Sequence, residues 1–264
     1  MLNVTPDSFS DGGNFLSPSD AIERAGQMLA DGADVIEVGG ESTRPGAEPV
    51  DAATEVARVV TVISAIRTRW PAARIAIDTV KSAVAQSAIE AGATIANDVS
   101  ALRLDPALAS VAAAAGATLV LMHSRGTVSD MARFDHAEYP SGVMDAVIAE
   151  LEPAAERAMR AGVARERIVL DPGIGFSKRA SDSVTALAEL PRLVELGFAV
   201  MVGASRKRFI GEITGVQHAA ERDAGTLGAH VAALMLGARW IRAHEVRMHR
   251  QALDVASAIL EARG

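Results

Sequence analysis

The feature that most constrains the fold is a regular alternation of short apolar runs, rich in β-branched residues, with longer segments of helical period. The short runs predict seven strands, at Asp34–Val38, Arg74–Asp78, Thr94–Asp98, Ala117–His123, Arg167–Asp171, Ala199–Gly203 and Trp240–His244. The longer segments predict eight helices, near Ser19–Ala30, Ala52–Arg69, Ser82–Ala91, Pro106–Ala115, Met144–Ala161, Ser183–Leu196, Ala220–Leu236 and Arg247–Ala262. Repeated strand–helix units of this length indicate a parallel sheet covered by helices.

An eighth strand is needed to complete a barrel, and the start of the chain, Met1–Asn3, is the candidate. We therefore predict a (β/α)8 TIM barrel with a shortened first strand, with a doubly wound open sheet as the alternative fold. The 264 residues fit the length of about 250 that one such barrel commonly has. No linker or change of composition divides the chain, so we predict a single domain over residues 1–264.

Composition and charge exclude several classes of protein. The formal net charge of −7 opposes nucleic-acid binding, which requires a basic surface that neutralises phosphates. No apolar run approaches the roughly 20 residues that span a bilayer, so we expect no membrane association. The chain opens without a basic and apolar leader, which predicts a cytoplasmic location. It contains no cysteine, which excludes disulfides and thiolate metal sites.

Chemistry in a barrel of this kind belongs at the carboxyl ends of the strands. The predicted strands end in polar or glycine-rich residues, namely Asn3, Gly39–Glu41, Asp78–Thr79, Asn97–Asp98, His123, Asp171–Gly173, Ser205–Lys207 and Arg242–His244. For Thr79 and Asp98, a role as a helix N-cap is at least as good an interpretation. We interpret Asp78, Asn97 and Asp171 as functional, because a carboxylate at a barrel rim is costly to desolvate unless something binds it.

Two sets of these residues indicate two kinds of ligand. Two carboxylates, an amide and a lysine suit the donors and acceptors of a flat polar heterocycle, either a pterin or a purine. A cationic set suits phosphate or carboxylate and comprises Arg44, Arg206, Arg242 and His244. Alternation along Trp240–His244 directs Arg242 and His244 to the same side, so we predict that they act on one anion.

Two loops rich in proline and glycine follow strand ends: residues 3–13 read NVTPDSFSDGG and residues 39–46 read GGESTRPG. Together with IDT at 77–79, NDVS at 97–100, LMH at 121–123, DPGIGF at 171–176, SRK at 205–207 and RAH at 242–244, they occur in the order seen in dihydropteroate synthases. The chain resembles that family over essentially its whole length. The two long loops and SRK are the specific motifs, whereas DPG or IDT alone is weak.

The resemblance implies a role for each matching residue. The residues that hold the pterin would be Asp78, Asn97, Asp171 and Lys207. Asn3 is similar to the residue that meets Mg²⁺ and pyrophosphate, and Arg242 and His244 are similar to the pyrophosphate-binding pair. The p-aminobenzoate side would comprise Phe9, Thr43, Arg44, Pro45, Phe176 and Ser205, with Asp7 on a loop that closes during reaction. The catalytic set would then be Asp78, Asp171, Lys207, Arg242 and His244.

The activity that the resemblance implies is the condensation of 6-hydroxymethyl-7,8-dihydropterin pyrophosphate with p-aminobenzoate, assisted by Mg²⁺, in an enzyme that pairs as a homodimer. The pyrophosphate would leave first, and the aromatic amine would then attack the pterin methylene cation. Three alternatives stay open: a pterin-binding methyltransferase domain, a non-catalytic pterin-binding paralogue and a sugar-phosphate barrel enzyme. The chain departs from the family pattern at Glu37 and Glu245, where aspartate is usual, and at Ser177, where glycine is usual. We expect none of these departures to touch the pterin-holding set.

Overall fold

A computed structural model describes residues 1–4, 18–42 and 48–263 of the chain. Within these ranges, eight strands form one parallel sheet in chain order, each strand pairing with the next. The strands are β1 (Leu2–Asn3), β2 (Val35–Gly39), β3 (Arg74–Asp78), β4 (Ile95–Asp98), β5 (Thr118–Met122), β6 (Ile168–Asp171), β7 (Ala199–Val202) and β8 (Trp240–Ile241). The described residues include no ladder between β8 and β1, so the sheet is a curled barrel with an open seam.

Ten α-helices occur in the described ranges. They are α1 (Pro18–Ala30), α2 (Ala52–Arg69), α3 (Ser82–Glu90), α4 (Leu108–Ala115), α5 (Val143–Arg160), α6 (Ala180–Ala188), α7 (Leu190–Val194), α8 (Arg208–Thr214), α9 (Asp223–Met235) and α10 (Val246–Ala262). None of the helices in the described part of the chain combines the length and apolarity needed to cross a membrane.

The strands bury both of their faces, with a different layer on each. On β3, Ile75 and Ile77 belong to the large core between the sheet and the helices. Ala76, which lies between them, belongs to a small cluster with Ile95, Val120, Val169 and Met201 that lines the inside of the barrel. Because side chains alternate along a strand, Asp78 lies on the same inner face as Ala76.

The sequence predicts this architecture well. The (β/α)8 arrangement with a shortened first strand is confirmed, since β1 has only 2 residues and the eight strands follow one another in chain order. Most predicted strand bounds agree within one or two residues, although β8 ends at Ile241 rather than at His244.

Two helix predictions were wrong. The single helix predicted over residues 183–196 is two helices, α6 and α7, which meet at Glu189. Pro191 lies in the first turn of the second helix, because a proline lacks the N–H that would continue the helix before it. A second difference is α8, a 7-residue helix that was not predicted; it starts directly after Lys207 and ends at Thr214, with Gly215 as its C-cap.

Candidate active site

A row of polar positions crosses the first four strands at their carboxyl ends. Strand register pairs Asn3 with Gly39, Gly39 with Asp78, and Asp78 with Asn97. We call these four residues the polar row. Paired residues of neighbouring parallel strands face the same side of the sheet, so the side chains of Asp78 and Asn97 point into the barrel. The ends of β1, β3 and β4 therefore lie side by side at one edge of the sheet.

Arg242 reaches this row from the end of β8, across the seam between β8 and β1. It follows β8, and its Nη2 donates to Asp78 Oδ2 at 2.8 Å, while its Nε donates to Glu37 Oε2. Gly203, which directly follows β7, is its neighbour, and a Cβ built on that glycine would make an ordinary van der Waals contact with Arg242 Cβ, at 3.6 Å. A guanidinium from β8 thus joins two carboxylates from β2 and β3 inside the barrel.

Glu37 is the residue of this network whose contacts differ from the prediction. It lies within β2, two residues before the strand end, and it is only 8% exposed. Its Oε1 accepts a hydrogen bond from Asn97 Nδ2 at 2.7 Å, in addition to the bond from Arg242 to Oε2. The expectation that Glu37 stays apart from the pterin-holding set is therefore wrong. The pattern pointed to it, because a glutamate inside an apolar strand needs a buried partner.

Asp171 reaches the same interior from β6. It pairs in register with Met122 of β5 and is 2% exposed. Its Oδ1 accepts the backbone N–H of Gly173 at 2.7 Å, which orients the carboxylate at the turn after the strand. Asp171 also lies close enough to Arg242, Lys207 and Lys178 for their charges to act on it.

Lys207 and Phe176 stack on each other beside Asp171. Lys207 Nζ lies 3.8 Å from the centre of the Phe176 ring, and the two side chains come from the loops after β7 and β6. Ser205 contacts His244, with the Ser205 hydroxyl 2.8 Å from His244 Nδ1. The described residues of the predicted p-aminobenzoate side, Phe176 and Ser205, therefore lie next to residues of the pterin and pyrophosphate sets.

Burial perturbs the acids and the lysine of this site. It raises the pKa of Asp78 to about 7, and the negative charge of Glu37 contributes to the rise. It raises the pKa of Asp171 to about 6, although the Gly173 N–H and the Arg242 charge oppose it. It lowers the pKa of Lys207 to about 8, and the nearby Arg242 cation acts in the same direction. All three groups therefore titrate near neutral pH, as acids and bases of functional sites often do.

The central ion pair stays charged despite its burial. Burial opposes the ionisation of Glu37, but Arg242 outweighs it and holds the pKa of Glu37 below its ordinary value. Burial also opposes the charge on Arg242, whose pKa is nevertheless raised by Glu37 and Asp78. Buried opposite charges that share several hydrogen bonds are the arrangement in which such a pair persists.

Two further lysines support the walls of the site. Lys178 is 1% exposed, and its Nζ lies 2.8 Å from His123 Nδ1 and donates to the carbonyl of Phe176 at 3.2 Å. Lys81 donates to Glu55 at 2.6 Å and to Glu41 at 2.9 Å. The sequence does distinguish these two residues, because they are lysines in a chain that uses arginine almost everywhere else.

Other predicted residues lie elsewhere or fall beyond the described ranges. Arg206, one of the predicted cationic set, makes a bidentate pair with Asp223, at 2.8 and 3.0 Å, rather than facing the barrel. Thr79 and Asp98 act locally: Thr79 accepts the N–H of Lys81, and Asp98 accepts from Ser100 and Leu102. Five predicted residues fall outside the described residues: Asp7, Phe9, Thr43, Arg44 and Pro45.

A cavity adjoins this site from below. It has a volume of about 460 Å³ and reaches Glu37, Asn97 and Arg242 at its upper end, and Arg74 and Trp240 lower in the barrel. A smaller cavity of about 290 Å³ lies on the other side, against Phe176 and Lys207. In the part of the chain that is described, no three His, Asp or Glu side chains are grouped so that they could hold a metal ion.

Comparison with known proteins gives a consistent family. A family model described as pterin binding enzyme matches residues 1–244. The dihydropteroate synthase of Synechocystis sp. is 41% identical over 260 residues, which cover 98% of this chain and 88% of that protein.

Two solved structures of the dihydropteroate synthase of Xanthomonas albilineans share the fold. The structure with 4-aminobenzoic acid has a TM-score of 0.89 at 40% identity, and the match covers 98% of this chain and 91% of that one. The structure with 7,8-dihydropteroate has a TM-score of 0.85 at 37% identity, with the same coverage of 98% and 91%.

The turn after β6 provides a test of how tightly the site is built. Gly173 has a φ of 68°, and a Cβ there would lie 1.9 Å from the carbonyl oxygen of His123. Gly116 has a similar φ of 60°, but a Cβ there would meet nothing within 4 Å. We expect Gly116→Ala to cost about 1–2 kcal/mol for the left-handed conformation alone. Gly173→Ala should cost about 1–3 kcal/mol more, because the backbone must also move.

Urea unfolding of the two variants and the wild-type protein measures the difference. Equal losses of unfolding free energy in Gly173→Ala and Gly116→Ala would show that the His123 carbonyl does not confine the turn.

Proposed function

The chain belongs to the dihydropteroate synthase family, and on that premise we propose that it joins 6-hydroxymethyl-7,8-dihydropterin pyrophosphate to p-aminobenzoate, releasing pyrophosphate and forming 7,8-dihydropteroate. The observation that carries the proposal is the convergence of Asp78, Asn97, Asp171 and Arg242, from four different strand ends, on the interior of one barrel rim. Lys207 lies beside them, over Phe176. A pterin-binding methyltransferase domain does not require the motif Ser205–Lys207, so the presence of this motif after β7 favours the condensation.

The pterin-holding set suits the ring in charge and shape. The carboxylates of Asp78 and Asp171 accept from the amino and ring N–H groups of a pterin, and the ammonium of Lys207 donates to its ring acceptors. Burial raises the pKa values of Asp78 and Asp171. Hydrogen bonds donated by the ring oppose this rise, because they stabilise the ionised carboxylates. The two carboxylates then face a ring that becomes positively charged during the reaction, and they stabilise that charge.

Arg242 and His244 are assigned to the pyrophosphate. Arg242 is engaged by Glu37 and Asp78, so in this proposal its guanidinium exchanges part of that contact for phosphate oxygens when substrate binds. His244 is 2.8 Å from the Ser205 hydroxyl, which orients its ring. Both groups stabilise the negative charge that grows on the leaving group as its bond to the pterin methylene breaks.

Asn3 completes the leaving-group end and is our candidate for holding Mg²⁺. Its Oδ1 borders Gly39, which adds no side chain, and Asp78 borders the same glycine from β3. Mg²⁺ characteristically takes one or two oxygen ligands from the protein and the rest from phosphates and water, so a lone amide oxygen at this position fits it. When bound, the ion would offset the charge of the departing pyrophosphate.

The reaction itself requires no protein nucleophile. The bond between the methylene carbon and the pyrophosphate oxygen breaks, and the pyrophosphate leaves with the electron pair. The aromatic amine then forms the new carbon–nitrogen bond and loses one proton. Phe176 and Ser205, with Asp7, Phe9, Thr43, Arg44 and Pro45 of the two loops, are assigned to the p-aminobenzoate side, where they would also keep water from the cation.

We also propose that the chain acts as a single (β/α)8 domain that pairs as a homodimer. Val255 and Ile259 are 63% and 52% exposed, and they lie one turn apart on α10. Two exposed aliphatic side chains on one helical face are the kind of surface that a second copy of the chain covers. A cytoplasmic location stays a prediction from the sequence.

The activity is tested by pyrophosphate release from the purified chain. Release should require both organic substrates together with Mg²⁺. Asp171→Asn and Lys207→Met should each lower kcat/KM on the order of tenfold to a hundredfold, the effect of losing one buried charged hydrogen bond. Asp98→Asn is the matched control, because it also removes a buried carboxylate next to a strand end but one that accepts from Ser100 and Leu102.

We expect Asp98→Asn to lower stability and to keep KM for the pterin substrate. Pyrophosphate release that continues without p-aminobenzoate would contradict the condensation. Wild-type rates in Asp171→Asn would remove Asp171 from the pterin-holding set.

Pterin binding should depend on pH through the same groups. The carboxylates must lose their protons to accept from the ring, so affinity should rise as pH increases through about 6 for Asp171 and about 7 for Asp78. Lys207 must keep its proton, so affinity should fall again above about 8. Asp78→Asn should abolish the step near 7, because an asparagine does not titrate.

Calorimetric titration of 6-hydroxymethylpterin at a series of pH values measures this profile. An affinity that is constant from about pH 5 to pH 9 would exclude the ionisation of these acids from binding.

The dimer is tested by the mass of the chain in solution, measured by light scattering. The double variant Val255→Glu/Ile259→Glu should shift the mass from that of two chains to that of one, because two buried charges would be unpaired in the interface. Ile213→Glu is the control, since Ile213 is 65% exposed on α8 and should leave the mass unchanged. A wild-type protein that is monomeric at high concentration would refute the pairing.

A further inference from the structure

Glu37 has contacts that a role in packing does not explain. It lies inside the barrel, below the polar row, on a strand whose other inward-facing positions are Val35 and Gly39. Its two carboxylate oxygens are divided between two residues of the proposed site: Oε1 accepts from Asn97, and Oε2 accepts from Arg242.

The chemistry of these contacts fixes the orientation of the Asn97 amide. A carboxylate only accepts hydrogen bonds, so the atom of Asn97 that lies 2.7 Å from Glu37 Oε1 must be the amide nitrogen. Arg242 keeps Glu37 ionised, because the pair is buried and joined by a direct hydrogen bond. The amide oxygen of Asn97 is consequently turned to the other side of the amide plane.

That amide oxygen is an unused acceptor in a buried position. Asn97 is 2% exposed, and its Oδ1 has no hydrogen-bond partner within the described residues. Buried acceptors are nearly always paired, so an exception in a site calls for a donor from outside the chain. Asn97 is the neighbour of Asp78 in the polar row, and a ligand whose donor groups lie against that row would reach both side chains.

We propose that Glu37 is a positioning residue that holds Asn97 with its amide oxygen turned towards an N–H donor of the pterin ring. The inference rests on the proposed function and deepens it. It assigns to Asn97 the part of a hydrogen-bond acceptor from the ring. It also explains why an acidic residue suits position 37. A carboxylate can only accept from Asn97, so it holds the amide nitrogen towards itself and the amide oxygen towards the ring.

The first experiment measures the affinity of the full chain for 6-hydroxymethylpterin, which carries no pyrophosphate. Glu37→Gln should weaken it on the order of tenfold, because a glutamine amide can face Asn97 with either end and no longer fixes its orientation. Glu37→Asp keeps an acceptor and a negative charge, so it should bind within about threefold of the wild-type protein. KM for p-aminobenzoate should not change in either variant.

The second experiment exchanges the two groups. Asn97→Asp alone places two carboxylates against each other and should weaken pterin binding. In the double variant Glu37→Gln/Asn97→Asp, the glutamine amide donates to the new carboxylate, whose other oxygen faces the ring. The double variant should therefore bind the pterin more tightly than either single variant, a coupling that loss of packing would not produce.

Glu55→Gln is the matched control for removing a buried carboxylate. Glu55 is fully buried on α2, and it accepts from Lys81 at 2.6 Å instead of from Asn97 or Arg242. Pterin affinity should not weaken in Glu55→Gln even if its thermal stability falls, because Glu55 acts on Asp78 only through a negative charge that raises the pKa of that acid.

Wild-type affinity in Glu37→Gln, or a double variant that binds no more tightly than the better of its two single variants, would overturn the inference while leaving the proposed function intact. If Glu37→Gln does not fold, the comparison of Asn97→Asp with Glu37→Asp/Asn97→Asp decides. In the double variant, the shorter side chain at position 37 moves the two opposed carboxylates apart, so this variant should bind the pterin more tightly than Asn97→Asp alone. Equal pterin affinity in the two variants would overturn the inference. A wild-type protein that does not bind 6-hydroxymethylpterin would refute the proposed function, and the inference with it.

Discussion

The site depends on a guanidinium held inside a barrel by carboxylates from neighbouring strands. Arg242 donates to Glu37 and to Asp78, and Glu37 accepts in turn from Asn97. Each of these charges would be costly to bury alone, and together they compensate one another. Burial, together with the negative charge of Glu37, raises the pKa of Asp78 to about 7 against the opposing charge of Arg242. The ligand-free site therefore holds the charge of Glu37 firmly and that of Asp78 only marginally. A ring that donates to Asp78 and an anion that attracts Arg242 both change this balance.

The barrel determines which residues meet. Strand alternation places Ala76, Ile95, Val120, Val169 and Met201 in an apolar layer inside the sheet. The next inward positions along the strands are Asp78, Asn97, Met122, Asp171 and Gly203, at the carboxyl ends. The apolar layer lowers the polarity beneath the polar row, which accounts for the perturbed pKa values of Asp78 and Asp171. Fold and chemistry therefore follow from the same period-two pattern.

Much of this could be predicted from the sequence, because it depends on local pattern. The strand ends, the inward direction of Asp78 and Asn97 and the shortened β1 all follow from periodicity and register. The pairing of Glu37 with Arg242 could not be predicted, since it joins residues 205 positions apart across the barrel. The pairing of Arg206 with Asp223, 17 positions later, could not be predicted for a similar reason, since only the tertiary packing of α9 brings the two together. The break between α6 and α7 could have been predicted from Pro191, although one continuous helix was predicted there.

The most direct measurement is a crystal structure of the protein with the dihydropterin pyrophosphate bound. Our account predicts one ring contacted by Asp78, Asn97, Asp171 and Lys207, with the amide oxygen of Asn97 towards a ring N–H. It also predicts that the guanidinium of Arg242 has turned from Asp78 to the pyrophosphate. A ring bound elsewhere, or an Arg242 that keeps both carboxylates while the pyrophosphate lies beyond its reach, would contradict it.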